Sequence, residues 1–262
     1  MDFSMDDTGE LGAFRLEVRE WLTAHVPPLD GARGAEEDYQ LRRELGRQLG
    51  SRGWLYPMAP ADYGGGGMSP EAAVIIAQEL GAFHLGLPPF PDSGGALAGQ
   101  CIAVWGNEEQ RRRILPRIIK GDAVTWLLAT GPQGGSDFAA PSTTAQWDGD
   151  QYVINGVMAW VQGSHPADYL WTIVRTGPEA DRYQNLSWFM IPGESPGIRA
   201  RPMELLAEGQ GSARKNTVYL EDVHVAAADL IGGLNNGWQV AQTFLALKHG
   251  MSGSPEARDR RP

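Results

Sequence analysis

Apolar positions recur at three- and four-residue spacing through the first part of the chain, the period of helices with one buried face. Leu11, Phe14, Val18, Trp21 and Leu22 share such a face, and the segment stops at Pro27-Pro28. Leu41, Leu45 and Leu49 repeat the pattern up to Gly53. Ser69-Pro70-Glu71 announces a third helix: an N-cap hydroxyl, proline at the first helical position and an acid at the positive dipole end. It is predicted to run through Val74, Ile75 and Leu80 to about Phe83. Leu97, Cys101 and Val104-Trp105 predict a fourth helix. Asn107 caps a fifth that ends at Lys120-Gly121, and Pro116 should kink or shorten it.

The pattern changes near Val124. Val124-Thr125-Trp126-Leu127-Leu128 is a continuous β-prone run, and segments 142–147 and 151–154 flank Asp148-Gly149-Asp150 as the arms of a hairpin. Segments 169–175, 186–191 and 216–225 predict further strands. From Trp238 the helical period returns through Ala241, Phe244 and Leu245, with Asn235 or Asn236 placed to cap and little for the helix to pack against. The expected class is therefore α+β. Residues 1–123 form a helical domain, 124–233 a β domain, 234–250 the first helix of a further domain, and 251–262 a disordered tail.

Composition narrows the functions this pattern could serve. The 22 basic and 32 acidic residues leave a net charge of −10, which disfavours nucleic acid and anionic membrane surfaces as partners. The single cysteine, Cys101, excludes an intramolecular disulfide and cysteine-based zinc sites, and the five histidines fall at no metal-ligand spacing. No apolar run reaches the roughly 18 residues of a membrane span, and the acidic first ten residues do not resemble a targeting signal. A cytoplasmic location is expected.

Generic catalytic signatures are absent: there is no GxSxG elbow, no HExxH and no GxGxxG after a strand. Gly232 to Gly237 has the spacing of a phosphate loop but continues with Trp238-Gln239. One segment rises above background. Residues 127–137, Leu-Leu-Ala-Thr-Gly-Pro-Gln-Gly-Gly-Ser-Asp, join a buried strand to a glycine-rich turn. Bare backbone amides there can approach a flat or anionic ligand, and Thr130 and Ser136 add hydroxyl donors. On pattern alone an ordinary strand-to-loop exit accounts for it better.

The same segment resembles the flavin-binding stretch of the acyl-CoA dehydrogenase family, whose usual form is Leu-Thr-Glu-Pro-x-Ala-Gly-Ser-Asp. Other family markers follow in order: Gly53-Trp54-Leu55 through Pro60-Ala61-Asp62-Tyr63-Gly64-Gly65, Gly106-Asn107-Glu108-Glu109-Gln110 through Leu115-Pro116 to Gly121-Asp122, and Val153-Ile154-Asn155-Gly156 with Ala159-Trp160-Val161. Pro196-Gly197-Ile198 and Leu220-Glu221-Asp222-Val223-His224-Val225 through Leu230-Ile231-Gly232 complete six matches over residues 11 to about 250.

The resemblance implies a helical domain followed by a β-barrel-like domain, truncated before the family's C-terminal helical bundle, and a site for FAD and an acyl-CoA thioester. It places Leu127, Leu128, Ala129, Thr130, Gly131, Gly135 and Ser136 along the flavin, with the Thr130 hydroxyl and amide donating to the ring. Trp160, Val161 and Gln162 complete the cofactor site, the Trp160 indole against the isoalloxazine face. Ser136 and Phe90 are expected to meet the substrate, the apolar loop 82–91 helping to shape the acyl pocket. The implied reaction is α,β-dehydrogenation, with an electron-transfer flavoprotein as acceptor.

Departures from the family pattern also bear on function. Gly131 replaces the motif's acid, Gly134 its alanine, and Gln162 the threonine two positions after tryptophan. Lys248-His249 stands where one subgroup carries its catalytic carboxylate. The usual catalytic glutamate belongs to the bundle, so no catalytic residue is assigned; Glu204, Glu208 and Glu221 are weak candidates. The chain is therefore expected to act as a partial subunit, alongside a homologous acyl-CoA dehydrogenase chain or by self-association. The alternatives are a non-catalytic binding or scaffold subunit, or a fragment of a related flavin enzyme.

Overall fold

A computed structural model describes residues 9–27, 34–205 and 214–250. Glu208 and the tail at 251–262 lie outside them. The described chain forms six helices, α1 (Glu10–His25), α2 (Ala35–Ser51), α3 (Pro70–Ala82), α4 (Gly95–Trp105), α5 (Glu108–Ile119) and α6 (Gly237–Lys248). Eight strands lie between α5 and α6: β1 (Thr125–Leu128), β2 (Thr144–Trp147), β3 (Tyr152–Gln162), β4 (Tyr169–Arg175), β5 (Leu186–Pro192), β6 (Ile198–Pro202), β7 (Lys215–Val225) and β8 (Leu230–Ile231).

Local signals set several boundaries. Ser69 Oγ accepts from the Ala72 amide at 3.3 Å with Pro70 opening α3, as its sequence predicts. Asn107 and Gln110 cap α5 reciprocally: the Gln110 amide donates to Asn107 Oδ1 at 2.8 Å, and the Asn107 amide to Gln110 Oε1 at 2.9 Å. Pro116 does not end α5. The helix continues to Ile119 because Ile114, Leu115, Ile118 and Ile119 are all buried, which offsets the missing proline amide.

Contacts divide the chain into two units. One holds residues up to Phe90 together with Ile119–Asp122. Its core comprises Val18, Leu22, Leu49, Ile75, Ile76 and Leu80. Trp54 lies edge-on to Phe14 and Trp21 at 5.9 and 5.6 Å. Arg15 and Arg19 of α1 clamp Glu79 of α3 at 2.8 and 2.9 Å.

The other unit holds Pro91–Ile118 and the chain from Ala123 onward, so α4 and most of α5 pack with the sheet. Polar contacts explain the grouping. Trp105 Nε1 donates to Thr243 of α6 at 3.0 Å, Gln110 Nε2 to the carbonyls of Ala228 and Leu230, and Arg113 pairs with Asp229 at 2.7 Å. The sheet runs β6-β7-β3-β2-β4-β5-β8, with β1 parallel to β4; it is mixed and open rather than a closed barrel. The hairpin around Asp148 forms as expected, with Trp147 opposite Tyr152 and Asp148 Oδ1 accepting from both the Asp150 and Gln151 amides at 2.9 Å.

α6 departs from expectation. It was expected to have little to pack against, yet Val240, Ala241, Thr243, Phe244 and Ala246 are buried and it lies on α4 and β5 of its own unit. Neither asparagine side chain caps it. Asn236 sits at the cap position but donates to the Gly232 carbonyl at 2.9 Å, and the Asn235 amide donates to Ser187 Oγ.

Candidate functional site

β1 emerges from the sheet beside β4, and the chain then turns through residues 129–139. Gly131 and Gly134 bridge across the turn, the Gly134 amide donating to the Gly131 carbonyl at 3.2 Å. Gly135 packs so closely on Thr130 that a Cβ there would lie 2.8 Å from Thr130 Cγ2. The loop is tied to β3, whose Ala159 amide donates to the Thr130 carbonyl at 2.8 Å.

At the same place β3 carries a bulge. Its register against β7 slips between Met158 and Val161, opposite Val218 and Asn216, so the strand spends one residue more than its partner. Trp160 occupies the slip with φ 61°, the left-handed region that a bulky residue rarely adopts. The indole is turned out of the strand and 54% exposed. Two residues on, the Gln162 carboxamide oxygen accepts from Lys215 Nζ at 3.0 Å, leaving its amide nitrogen as the donor available to a ligand.

These elements wall a cavity of about 650 Å³ inside the sheet unit. Leu127, Ala129 and Thr130 line one side, with Gly135, Ser136 and Phe138 from the turn. Trp160 and Gln162 face in from β3, and Ser93 and Leu97 from the start of α4. Phe244, Leu245, Trp238 and Lys248 of α6 close the remainder with Tyr183 from the β4–β5 connection. Phe138 stacks on Phe244 at 5.6 Å, and Tyr183 leans on Trp238 at 4.7 Å. Among the described residues Asp137 is the one carboxylate lining the cavity, and Arg182 binds it. The Tyr183 hydroxyl, followed by Asp137, raises the Arg182 guanidinium above its ordinary value.

The cavity thus brings together Leu127, Ala129, Thr130, Gly135, Ser136, Trp160 and Gln162 of the residues singled out in the sequence. Strand alternation sends the others elsewhere: Leu128 and Val161, one step out of phase with lining residues, are 0% and 1% exposed in the core. Gly131 forms the turn without lining the cavity. Phe90 belongs to the helical unit, where its 3%-exposed ring packs against Gly46 and lies 4.7 Å beneath the Arg43 guanidinium. It serves as a core side chain there. Glu204 and Glu221 are exposed, and Glu221 is paired with Arg199.

Sequence reasoning missed Ser93, Leu97, Phe138, Tyr183 and the cavity-facing side of α6. The period-3.6 pattern from Trp238 carried part of that signal. Nothing in the sequence marks Ser93 or Tyr183, which reach the cavity through chain connections.

A flavin ring fits this site by the chemistry of its walls. The exposed Trp160 indole offers a flat apolar face, Thr130, Ser136 and Gln162 supply neutral donors, and no side chain intrudes at Gly135.

Comparison with known proteins defines the class. Residues 8–122 match the N-terminal domain of acyl-CoA dehydrogenases and residues 127–223 match their middle domain. The chain belongs to the acyl-CoA dehydrogenase family. It is 32% identical over 253 residues to acyl-CoA dehydrogenase IpdE1 of Mycobacterium tuberculosis, covering 91% of this chain and 63% of that one, and 31% identical to FadE29 of the same organism, covering 95% and 63%. Among solved structures it resembles the Tcur3481-Tcur3483 steroid ACAD (30% identity, TM-score 0.76, 95% of this chain and 63% of that one). It also resembles the ChsE4-ChsE5 complex of Mycobacterium tuberculosis (30%, 0.75, 94% and 61%). The chain spans a little under two thirds of the length of these relatives.

Proposed function

We propose that this chain supplies the flavin-ring wall of an FAD-dependent acyl-CoA dehydrogenase and acts together with a homologous chain. The observation that carries the reading is Trp160, held in a left-handed bulge with its indole exposed and lining the same cavity as Thr130. Bound FAD would supply the acceptor for hydride leaving the β-carbon of the thioester. Thr130 and Gln162 would donate hydrogen bonds to the ring, where fixed donors stabilise charge that develops during the reaction. Trp160, Phe138 and Phe244 would exclude water from one side, and Ser136 would meet the thioester.

The base for the α-proton is not assigned to Asp137: its Oδ1 is paired with Arg182 and its side chain is 54% exposed, whereas a base is a carboxylate held at the substrate carbon. In this reading the base comes from a part of the assembly beyond the two matched domains. The heteromeric steroid ACAD and the ChsE4-ChsE5 complex support partnership between related chains, and they make a steroid acyl-CoA the first thioester to test beside straight-chain ones. An electron-transfer flavoprotein is the proposed acceptor.

The test is purification of the chain alone and in its native assembly, followed by flavin absorbance and acyl-CoA binding. Flavin retained by the assembly supports the reading. Tight acyl-CoA binding by an assembly free of flavin would replace it with that of a non-catalytic binding subunit.

A further inference from the structure

The two cavity walls, the β1 exit with Thr130 and the β3 bulge with Trp160 and Gln162, are not neighbours in the sheet path; β1 pairs with β4, and β3 with β2 and β7. No ladder between β1 and β3 sets their spacing; a single backbone bond, from the Ala159 amide to the Thr130 carbonyl, joins them at the β1 exit. A short segment before α4 supplies a second tie. Gly94 donates its amide to the Thr125 carbonyl at 2.9 Å, and Asp92 Oδ1 accepts from the amides of Gly95 and Thr125 at 2.7 and 3.3 Å. The segment thus lies along β1 as a substitute strand, two of its three bonds to β1 made by side chains.

Ser93 sits in the middle of it and lines the cavity. Its hydroxyl accepts from the Leu127 amide of β1 at 3.2 Å and donates to the Gln162 carbonyl of β3 at 2.8 Å. One oxygen atom therefore bonds both walls, using the acceptor and donor capacity that only a hydroxyl combines in so small a group. The Ala159 amide on the Thr130 carbonyl is a separate tie between these walls.

We propose that Ser93 is a positioning residue: its hydroxyl registers β1 to β3 at Leu127 and Gln162 and, together with the Ala159–Thr130 backbone bond, holds Thr130 at a fixed distance from Trp160 and Gln162. The consequence for cofactor binding rests on the flavin reading above. The consequence for the walls does not.

Ser93→Ala deletes the bridge without adding bulk, and Ser93→Thr keeps the hydroxyl. Amide hydrogen exchange of the ligand-free chain reads the first consequence. In Ser93→Ala the Leu127 amide is expected to exchange about tenfold faster, with the remote Ala159 amide accelerated alongside it and the protection of α1–α3 unchanged, whereas Ser93→Thr stays near wild type. FAD retention by the native assembly reads the second, with a loss of about tenfold in Ser93→Ala and recovery in Ser93→Thr. Unchanged exchange at Leu127 and Ala159 overturns the proposal, as does acceleration at Leu127 alone, which marks a merely local bond. Accelerated exchange with undiminished FAD retention overturns the link to the cofactor. A wild-type assembly that holds no FAD overturns the flavin reading instead, and the exchange data still decide the role of Ser93.

Discussion

Trp160 adopts a backbone conformation that costs a bulky residue on the order of 1 kcal/mol, and the bulge in β3 imposes it. Strain of this kind persists where the surroundings over-determine it, and here it turns a large aromatic face toward the cavity. Replacing Trp160 with Gly should relieve the strain, leaving the thermal midpoint unchanged or slightly higher, while FAD retention falls about tenfold from lost ring stacking. A variant that retains flavin as wild type does would remove Trp160 from the site. Cys101 marks the opposite environment. It is fully buried in α4, and burial pushes its thiol up to about 12. The thiolate needed for alkylation is therefore scarce at neutral pH, and iodoacetamide should label Cys101 only as the protein unfolds. Stoichiometric labelling of the native protein within minutes would contradict this burial.

Among the elements, those with dense local signals were legible from sequence. The N-cap of α3, the asparagine start of α5 and the hairpin at Asp148 each rest on side chains that act within four residues of themselves. What was not legible depends on distant residues. β6 and β8 are short strands recruited by β7 and β5, and they carry too few residues for a period to show. The environment of α6 depends on Trp105 and Trp188, far away in the chain; Trp188 Nε1 donates to the Gly237 carbonyl at 3.0 Å. In the cavity the turn 129–139 and Trp160 are visible through family resemblance, whereas the inward packing of the Leu128 and Val161 side chains is not, because a contiguous motif ignores the pleat that alternates side chains between faces.

The pairing of α1 with α3 carries a pH dependence of its own. Hydrogen bonds from Arg19, then from Arg15, hold the Glu79 carboxyl below its ordinary value of 4.5. A folded-state value lower than the unfolded one stabilises the fold at pH above the unfolded value, and the contribution is lost as pH falls through the folded value. Because Arg19 is half-exposed, the clamp contributes about 1–2 kcal/mol at neutral pH. Denaturant unfolding should show Glu79→Gln less stable than wild type by that amount at pH 7, with the gap closing as pH falls below the ordinary carboxyl value of 4.5 and through the lower folded-state value. A gap independent of pH would mean that the ion pairing contributes nothing.

At the scale of the whole molecule, the 262 residues carry the family's N-terminal and middle domains and span a little under two thirds of the matched relatives. Every described residue lining the cavity falls within the sheet unit, and among them are an aromatic face, neutral donors and one carboxylate, Asp137, already engaged by Arg182. Such a wall suits holding a flavin ring better than removing an α-proton. The division of labour we propose holds the ring here and supplies the base elsewhere in the assembly. Anaerobic addition of acyl-CoA, steroid and straight-chain, to the chain alone and to its native assembly tests this directly through bleaching of the flavin absorbance. The account predicts bleaching in the assembly and none by the chain alone. Stoichiometric flavin and full bleaching by the isolated chain would contradict it.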